Sequence, residues 1–354
     1  MSHVLPAGCS PLRGVLVLLA LSCLLLGTSL RAATLNLFIW SEYIDPKVVA
    51  EFEREAEAKV VVDLFEDDAS MVAKLRNGGA LQYDVVVAPD HTVPKLIKLE
   101  LLRPLPRARF HSITNIDPHF LNRPYDQGNA YSIPYLWGTV CLYARPMPGH
   151  PLPSTWGVLF DPKLQAGPFL LMDGMRDLIG AALKYKGYSL NSTDPNQLKE
   201  VRDLLIDAKR RSTGFEGGVG GKNKVLSKAV RAAMAYSGDA LRGTIEDKET
   251  VLLIPVEGTQ IWVDNLVICS GAPHVELAER FLEFMLRPEI SARLAGALHY
   301  ATPNRQARSL LDPVVLKNPS IYPPPEVMAK LEFLNELGKA SRLYDEVWTQ
   351  VKAR

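Results

Sequence analysis

Between Leu35 and Val87 the chain switches hydrophobic period four times, and this constrains its fold more than any other feature. Leu35, Leu37 and Ile39 alternate with Asn36, Phe38 and Trp40. That is the two-residue period of a strand, and the apolar partners suit a strand buried on both faces. Asp45 then offers an N-cap and Pro46 a first helical position, after which Val48, Val49 and Phe52 recur at helical spacing. Residues 60–65 predict a second strand, 70–76 a second helix and 83–87 a third strand. Strands joined by short helical crossovers pair in parallel and carry helices on both faces, so the expectation is an α/β fold built on a parallel sheet. Ligands of such sheets bind beyond the carboxyl ends of the strands. Those ends carry Trp40-Ser41-Glu42-Tyr43 and Asp90-His91.

The alternation resumes later. Strands are expected at 135–143, 169–172, 233–236 and 263–268, separated by helices at 177–185, 195–210 and 275–286. A chain of 354 residues exceeds the roughly 250–300 at which single cores stop growing, so two domains are expected. No low-complexity linker divides them, which suggests domains interwoven by more than one crossing.

Residues 15–26 form a 12-residue uncharged run preceded by Arg13 and followed by small residues up to Ala32 and Ala33. The run is shorter than the about 20 apolar residues a membrane span needs. It matches the core of a secretory signal peptide over 1–32, cleaved near Ala32/Ala33, and implies export. Whole, the chain has 40 basic and 39 acidic residues; without Arg13 and Arg31 it has 38 against 39, a formal charge of −1. That balance argues against a nucleic-acid binder relying on many phosphate contacts.

Other motifs exclude more than they support. The seven histidines form no H-x-x-x-H pair and the cysteines no C-x-x-C, so neither a metal nor another cofactor is expected. The glycine-rich run from Gly217 to Lys222 fails as a phosphate loop, since Asn223 follows the lysine, and suits a flexible surface loop. No G-x-S-x-G elbow or local Ser/His pairing marks a hydrolase, and no catalytic residue is assigned. What remains is a set of aromatic and acidic residues near predicted strand ends: Trp40, Glu42, Tyr43, Asp177, Tyr236, Asp239, Trp262, Asp264 and Tyr300. Together they suit an organic cation. An ammonium leaving water needs carboxylates to offset its desolvation, and its alkyl stem favours flat apolar walls that also attract charge.

At these residues the chain resembles the periplasmic spermidine/putrescine-binding proteins of ABC transporters. The resemblance runs from Leu35 to Lys352. It rests on Trp40-Ser41-Glu42-Tyr43-Ile44, Tyr83-Asp84-Val85-Val86-Val87, Tyr131-Ser132-Ile133-Pro134-Tyr135-Leu136-Trp137-Gly138, Gly187-Tyr188, Trp262-Val263-Asp264, Phe284-Met285-Leu286-Arg287-Pro288 and Tyr300-Ala301-Thr302-Pro303-Asn304. It implies a two-lobed periplasmic-binding-protein fold with a ligand cleft between interwoven lobes, here 33–138 with 264–307 and 139–263 with 308–354. Cys141 and Cys269 would then lie about 20 Å apart at ~3.3 Å per strand residue, beyond the about 7 Å of a disulfide. By position, Trp40, Ser41, Glu42 and Tyr43 match the first wall of the polyamine slot, Asp177 and Asp264 its acids, and Trp262 and Tyr300 its aromatic walls. Tyr236 stands for a Trp, and Tyr236-Ser237-Gly238-Asp239 resembles a putrescine-preferring branch. The departures are His91 for Tyr or Ser, Gly174 for an Asp, Gly217 for a Ser and Leu334 for a Gln, which leaves ligand length open.

The implied activity is non-enzymatic: a monomer in the periplasm captures a polyamine by hinge closure and delivers it to an inner-membrane ABC permease. His91, protonated near its reference pKa of about 6.5, would repel a cation and weaken binding in acid. Two alternatives remain. A binding protein of the same fold for an ω-amino acid or opine-like solute would need an Arg, such as Arg176 or Arg242, or a helix N-terminus facing the cleft, and an exported enzyme or sensor would turn over its ligand or signal through a receptor.

Overall fold

The structure is a computed structural model and describes residues 1–3, 33–165 and 167–353. The signal segment expected over 1–32 therefore lies, but for its first three residues, outside the described residues. No helix among the described residues is long and apolar enough to cross a membrane.

From Ala33 the predicted alternation holds. Strand β1 (Ala33–Trp40) leads into helix α1 (Pro46–Ala56), then β2 (Ala58–Phe65), α2 (Asp68–Arg76), β3 (Val85–Pro89) and α3 (Val93–Lys98). Local chemistry sets the boundaries. The Asp45 side chain accepts a hydrogen bond from the Lys47 amide at 2.8 Å with Pro46 at the first helical position, and Asp67 accepts from the Ser70 amide at 2.7 Å. Each such cap contributes about 1 kcal/mol. Helix α1 buries Val48 and Phe52 on its inner stripe and ends at Glu57 in the left-handed region (φ 52°).

The later elements are β4 (Ser132–Ala144), β5 (Phe169–Met172), α4 (Met175–Tyr185), α5 (Pro195–Arg211), β6 (Phe215–Glu216), α6 (Gly218–Leu226), β7 (Ala232–Tyr236), α7 (Ser237–Glu246), β8 (Val251–Leu253), β9 (Ile261–Ile268), α8 (Val275–Met285), α9 (Pro288–Leu298) and α10 (Ser341–Ala353). The strands lie in the order β2-β1-β3-β9-β4-β7-β5-β6, with β8 paired to β4 off this path. Pairing is parallel for β1/β3, β5/β7 and β5/β6, but antiparallel for β3/β9, β4/β9, β4/β7 and β4/β8. The sheet is thus mixed, not the parallel sheet the crossovers suggested. The difference arises at β4 and β9, which connect the two ends of the sheet instead of belonging to a crossover unit. All 13 residues of β4 are buried. Its first part, Ser132 to Thr139, pairs with β9, and its last part, Val140 to Ala144, pairs with β7. One strand of about 43 Å, at ~3.3 Å per residue, therefore serves both halves of the sheet.

Gly138 lies in this shared stretch. A Cβ there would come within 2.7 Å of Trp262 Cζ2, 3.0 Å of Ser237 Oγ and 3.1 Å of Tyr300. The absent side chain is what lets two aromatic rings close over the strand. The tail also serves both halves: Ala307, Leu311 and Val315 pack on Ala292 and Ala295 of α9, whereas the Tyr344 hydroxyl of α10 donates to the carbonyls of Leu190 and Ser192. Cys141 and Cys269 are both buried free thiols. The run from Gly217 to Lys222, expected as a flexible loop, instead opens α6. Its glycines allow close packing, because a Cβ at Gly218 would lie 2.8 Å from the Tyr236 ring and one at Gly221 3.2 Å from Ala233 Cβ.

Candidate functional site

Four aromatic rings cluster where β1, β7 and β9 end or cross. Trp262 stands edge-on to Tyr300 (centroids 5.2 Å, 70°) and to Tyr236 (5.8 Å, 85°), and Tyr43 meets Tyr300 at 5.4 Å and 76°. Tyr135 adds a fifth ring, 5.5 Å from Tyr43, and its hydroxyl donates to the Tyr43 carbonyl at 2.9 Å. The Trp262 indole N–H is buried without a hydrogen-bond partner among the described residues. Trp40 and Ser41 are turned elsewhere. The Trp40 ring rests on Phe65 at 4.4 Å, and the Ser41 hydroxyl is bonded to Glu66.

The acids fall into two groups with opposite electrostatics. Asp264, on β9, is 7% exposed. Burial, with the nearby Asp90 carboxylate, pushes its pKa up to about 7, against the opposing effects of the Tyr43 hydroxyl and the charge of His91. Asp177, in the first turn of α4, is partly buried. Burial raises it to about 6, although His91 and Arg176 favour its ionised form. Its carboxylate occupies the place a side chain on Gly174 would need, since a Cβ at Gly174 would lie against Asp177 Oδ2. Neither Asp177 nor Asp264 has an ion-pair partner within 4 Å among the described residues, in contrast to Glu42 and Asp239. Tyr236 lies in the field of both, and burial followed by those charges raises its phenol well above the ordinary value.

His91 sits between two carboxylates, with Nε2 3.3 Å from Asp68 Oδ2 and Nδ1 3.3 Å from Asp90 Oδ1. Burial alone would lower its pKa, but the hydrogen bonds and charges of Asp68 and Asp90 raise it to about 10. The expected acid switch at His91 is therefore corrected. The ring is a fixed cation throughout the neutral range, because its two carboxylate partners outweigh its desolvation.

Glu42 and Asp239 belong to the second group. Glu42, strained into the left-handed region (φ 53°), accepts from Lys222 Nζ at 3.1 Å and from the Arg242 guanidinium at 3.3 Å. Arg242 also bonds to Asp239 and donates to the Leu298 carbonyl at 2.8 Å. Burial would raise the Glu42 carboxyl, but Lys222 and Arg242 bring it below its usual value. For Asp239 the burial effect prevails over both cations, and its pKa stays raised. Two of the four acids expected to face a ligand are thus already matched by two internal cations. Asp68 and Lys222 were missed at the sequence level. Lys222 was hidden in a run read as a loop, and nothing in the local sequence of Asp68 marks it as a partner of His91.

The acidic half of the site can be counted. Around the acids Asp68, Asp90, Asp177 and Asp264 stand the cations His91, Arg176 and, acting on Asp68, Lys95, so acids outnumber bases. An excess of acid beside aromatic rings is complementary to an organic cation.

A mixed sheet whose two halves share β4 is that of a two-lobed solute-binding protein of the periplasmic-binding-protein fold, as its solved relatives show. The family model for bacterial extracellular solute-binding proteins matches residues 47–323, and the chain belongs to that family. It is 32% identical over 341 residues to the spermidine/putrescine-binding periplasmic protein of Escherichia coli, covering 95% of this chain and 97% of that protein. To the putrescine/cadaverine-binding protein of Pseudomonas aeruginosa it is 30% identical over 352 residues, covering 95% and 99%. The solved structure of a spermidine/putrescine ABC transporter substrate-binding protein from Streptococcus pneumoniae aligns with a TM-score of 0.78 at 30% identity, covering 91% of this chain and 99% of that one.

Proposed function

We propose that this protein captures a polyamine in the slot between its lobes and, from the periplasm, delivers it as a monomer to an inner-membrane ABC permease. One observation carries this reading. Asp264 is buried and Asp177 half-buried, neither with an ion-pair partner among the described residues, near the rings of Tyr43, Tyr236, Trp262 and Tyr300. A buried unpaired carboxylate is costly, and an ammonium that pairs with it removes that cost while its methylene stem lies on the rings. The names of the similar proteins support the same chemistry.

Hinge closure follows from the connectivity. We assign 33–138 and 264–322 to one lobe and 139–263 and 323–354 to the other, extending the first lobe past 307 because the following segment packs on α9. Closure brings Glu42 against Lys222 and Arg242, and places Asp264 and Asp177, from opposite lobes, around one ligand. The arginine form of the amino-carboxylate alternative is disfavoured. Arg242 is engaged by Asp239, Glu42 and the Leu298 carbonyl, while Arg176 donates to the Asn335 carbonyl and Asn191 and lies 4.8 Å from the Tyr344 ring.

Titration calorimetry against a panel of diamines, triamines and ω-amino acids tests the proposal. Micromolar binding of an amine, about −8 kcal/mol, is expected, with loss on Asp264→Ala. Absence of heat from every amine would overturn it.

A further inference from the structure

Lys222 poses a question that stability does not answer. Its side chain is only 7% exposed, yet its ion-pair partner, Glu42, is about half exposed. Burying an ammonium is costly, and a carboxylate still in contact with water has little need of a buried partner. Lys222 also differs from Arg242, which links three groups: Glu42, Asp239 and the Leu298 carbonyl. The position of the pair explains it better than its energy does. Tyr300 touches both groups, with the Arg242 guanidinium 6.0 Å from its ring centroid and the Trp262 ring 5.2 Å away. Burial, then the charge of Asp239, raises the Tyr300 phenol, so the acid adjoins the slot wall.

We propose that Lys222 is a specificity residue: it acts as a built-in amine that occupies Glu42, as Arg242 occupies Asp239, and limits the protein to diamines. This rests on the polyamine reading above and refines it. The network holds two acids and two bases and is neutral as a unit, whereas the acids around Asp177 and Asp264 outnumber their cations. A diamine is held there without drawing on the network. A triamine brings a third ammonium, for which every acid at the Glu42/Asp239 end is already paired, and that ammonium would also face the Lys222 and Arg242 cations. Without Lys222, Arg242 alone would remain for two carboxylates, and a third ammonium would find one free negative charge.

The test is calorimetry with 1,4-diaminobutane and the triamine spermidine on the full protein and its variants. The parent should bind the diamine at least tenfold more tightly. Lys222→Met should narrow that ratio tenfold or more, Lys222→Arg should keep it, and the double variant Lys222→Met/Glu42→Gln should restore it by removing the freed acid. The double variant separates unmasking of a charge from mere widening of the slot. A parent that binds spermidine as tightly as the diamine, or a Lys222→Met ratio equal to the parent's, would overturn the assignment. Should Lys222→Met fail to fold by circular dichroism, the parent's own ratio still decides. A parent that binds no amine would instead overturn the polyamine reading.

Discussion

Replacing Asp264 with Asn should close the empty protein. In the structure this carboxyl is 7% exposed and its pKa is raised from 3.8 to about 7. If the proposed hinge opening returns it to water, its pKa falls back toward the ordinary value. The sign follows from linkage. A carboxyl raised in the closed form penalises closure fully above pH 7, and the penalty fades as pH falls toward 3.8. At 1.36 kcal/mol per pH unit, three units amount to about 4 kcal/mol at pH 7 and about 2 kcal/mol at pH 5. Asp177 adds a smaller penalty in the same direction, since it is raised only to about 6 and remains partly in contact with solvent. Two acids thus hold the empty cleft apart, and an ammonium that pairs with them removes the penalty only when it is bound.

The Asn variant lacks the larger penalty and should favour the closed form by about 4 kcal/mol at neutral pH, nearly a thousandfold in the closed-to-open ratio. The assay is a spin-label distance measurement with Ala73→Cys on α2 and Lys199→Cys on α5, two exposed positions. The native Cys141 and Cys269 are fully buried and will not take the label. The ligand-free parent should show a longer distance at pH 7.5 and gain the shorter, closed population by pH 5. Asp264→Asn should show the closed population at pH 7.5. If the variant and parent give the same distances across that range, the acids do not govern closure.

Three further outcomes follow from the geometry. The His91 ring should remain protonated through pH 8 in a nitrogen-detected NMR titration, and a midpoint near 6.5 would refute its placement between Asp68 and Asp90. With a folded pKa near 10, it contributes up to about 5 kcal/mol of stability that is complete below pH 6.5 and lost as pH rises toward 10. Gly138→Ala should cost about 1–3 kcal/mol in urea denaturation, because the new methyl meets Trp262, Ser237 and Tyr300; an unchanged midpoint would show that these rings yield freely. Glu42→Gln should weaken diamine binding tenfold or more in calorimetry, since it leaves the Lys222 ammonium uncompensated beside the slot, and unchanged affinity would mean that the network does not reach the ligand.

How far the site was legible before the structure depends on whether a residue's role is set by its neighbours in sequence or by partners far along the chain. The strand ends were legible, because the two-residue period stops where Trp40 and Asp90 begin their turns. Tyr43, Tyr236, Trp262 and Tyr300, named from such ends, lie in contact with one another, and Asp177 and Asp264 both act on Tyr236, whereas Trp40 and Ser41 turn away. The sign of the field was not legible. Glu42 meets Lys222 across 180 residues and Arg242 across 200, and His91 meets Asp68 across 23, so each charge is decided by a contact that no local pattern encodes. The mixed sheet escaped for the same reason, since β4 and β9 look like ordinary strands and only pairing shows that β4 runs beside β9 and then beside β7, serving both halves of the sheet. The glycine run misled because glycine served packing and not looseness: α6 approaches Tyr236 and Ala233 too closely for side chains, and that approach brings Lys222 to the slot. Residue types therefore pointed to a cation, but its number of charges follows from which acids the fold had already paired.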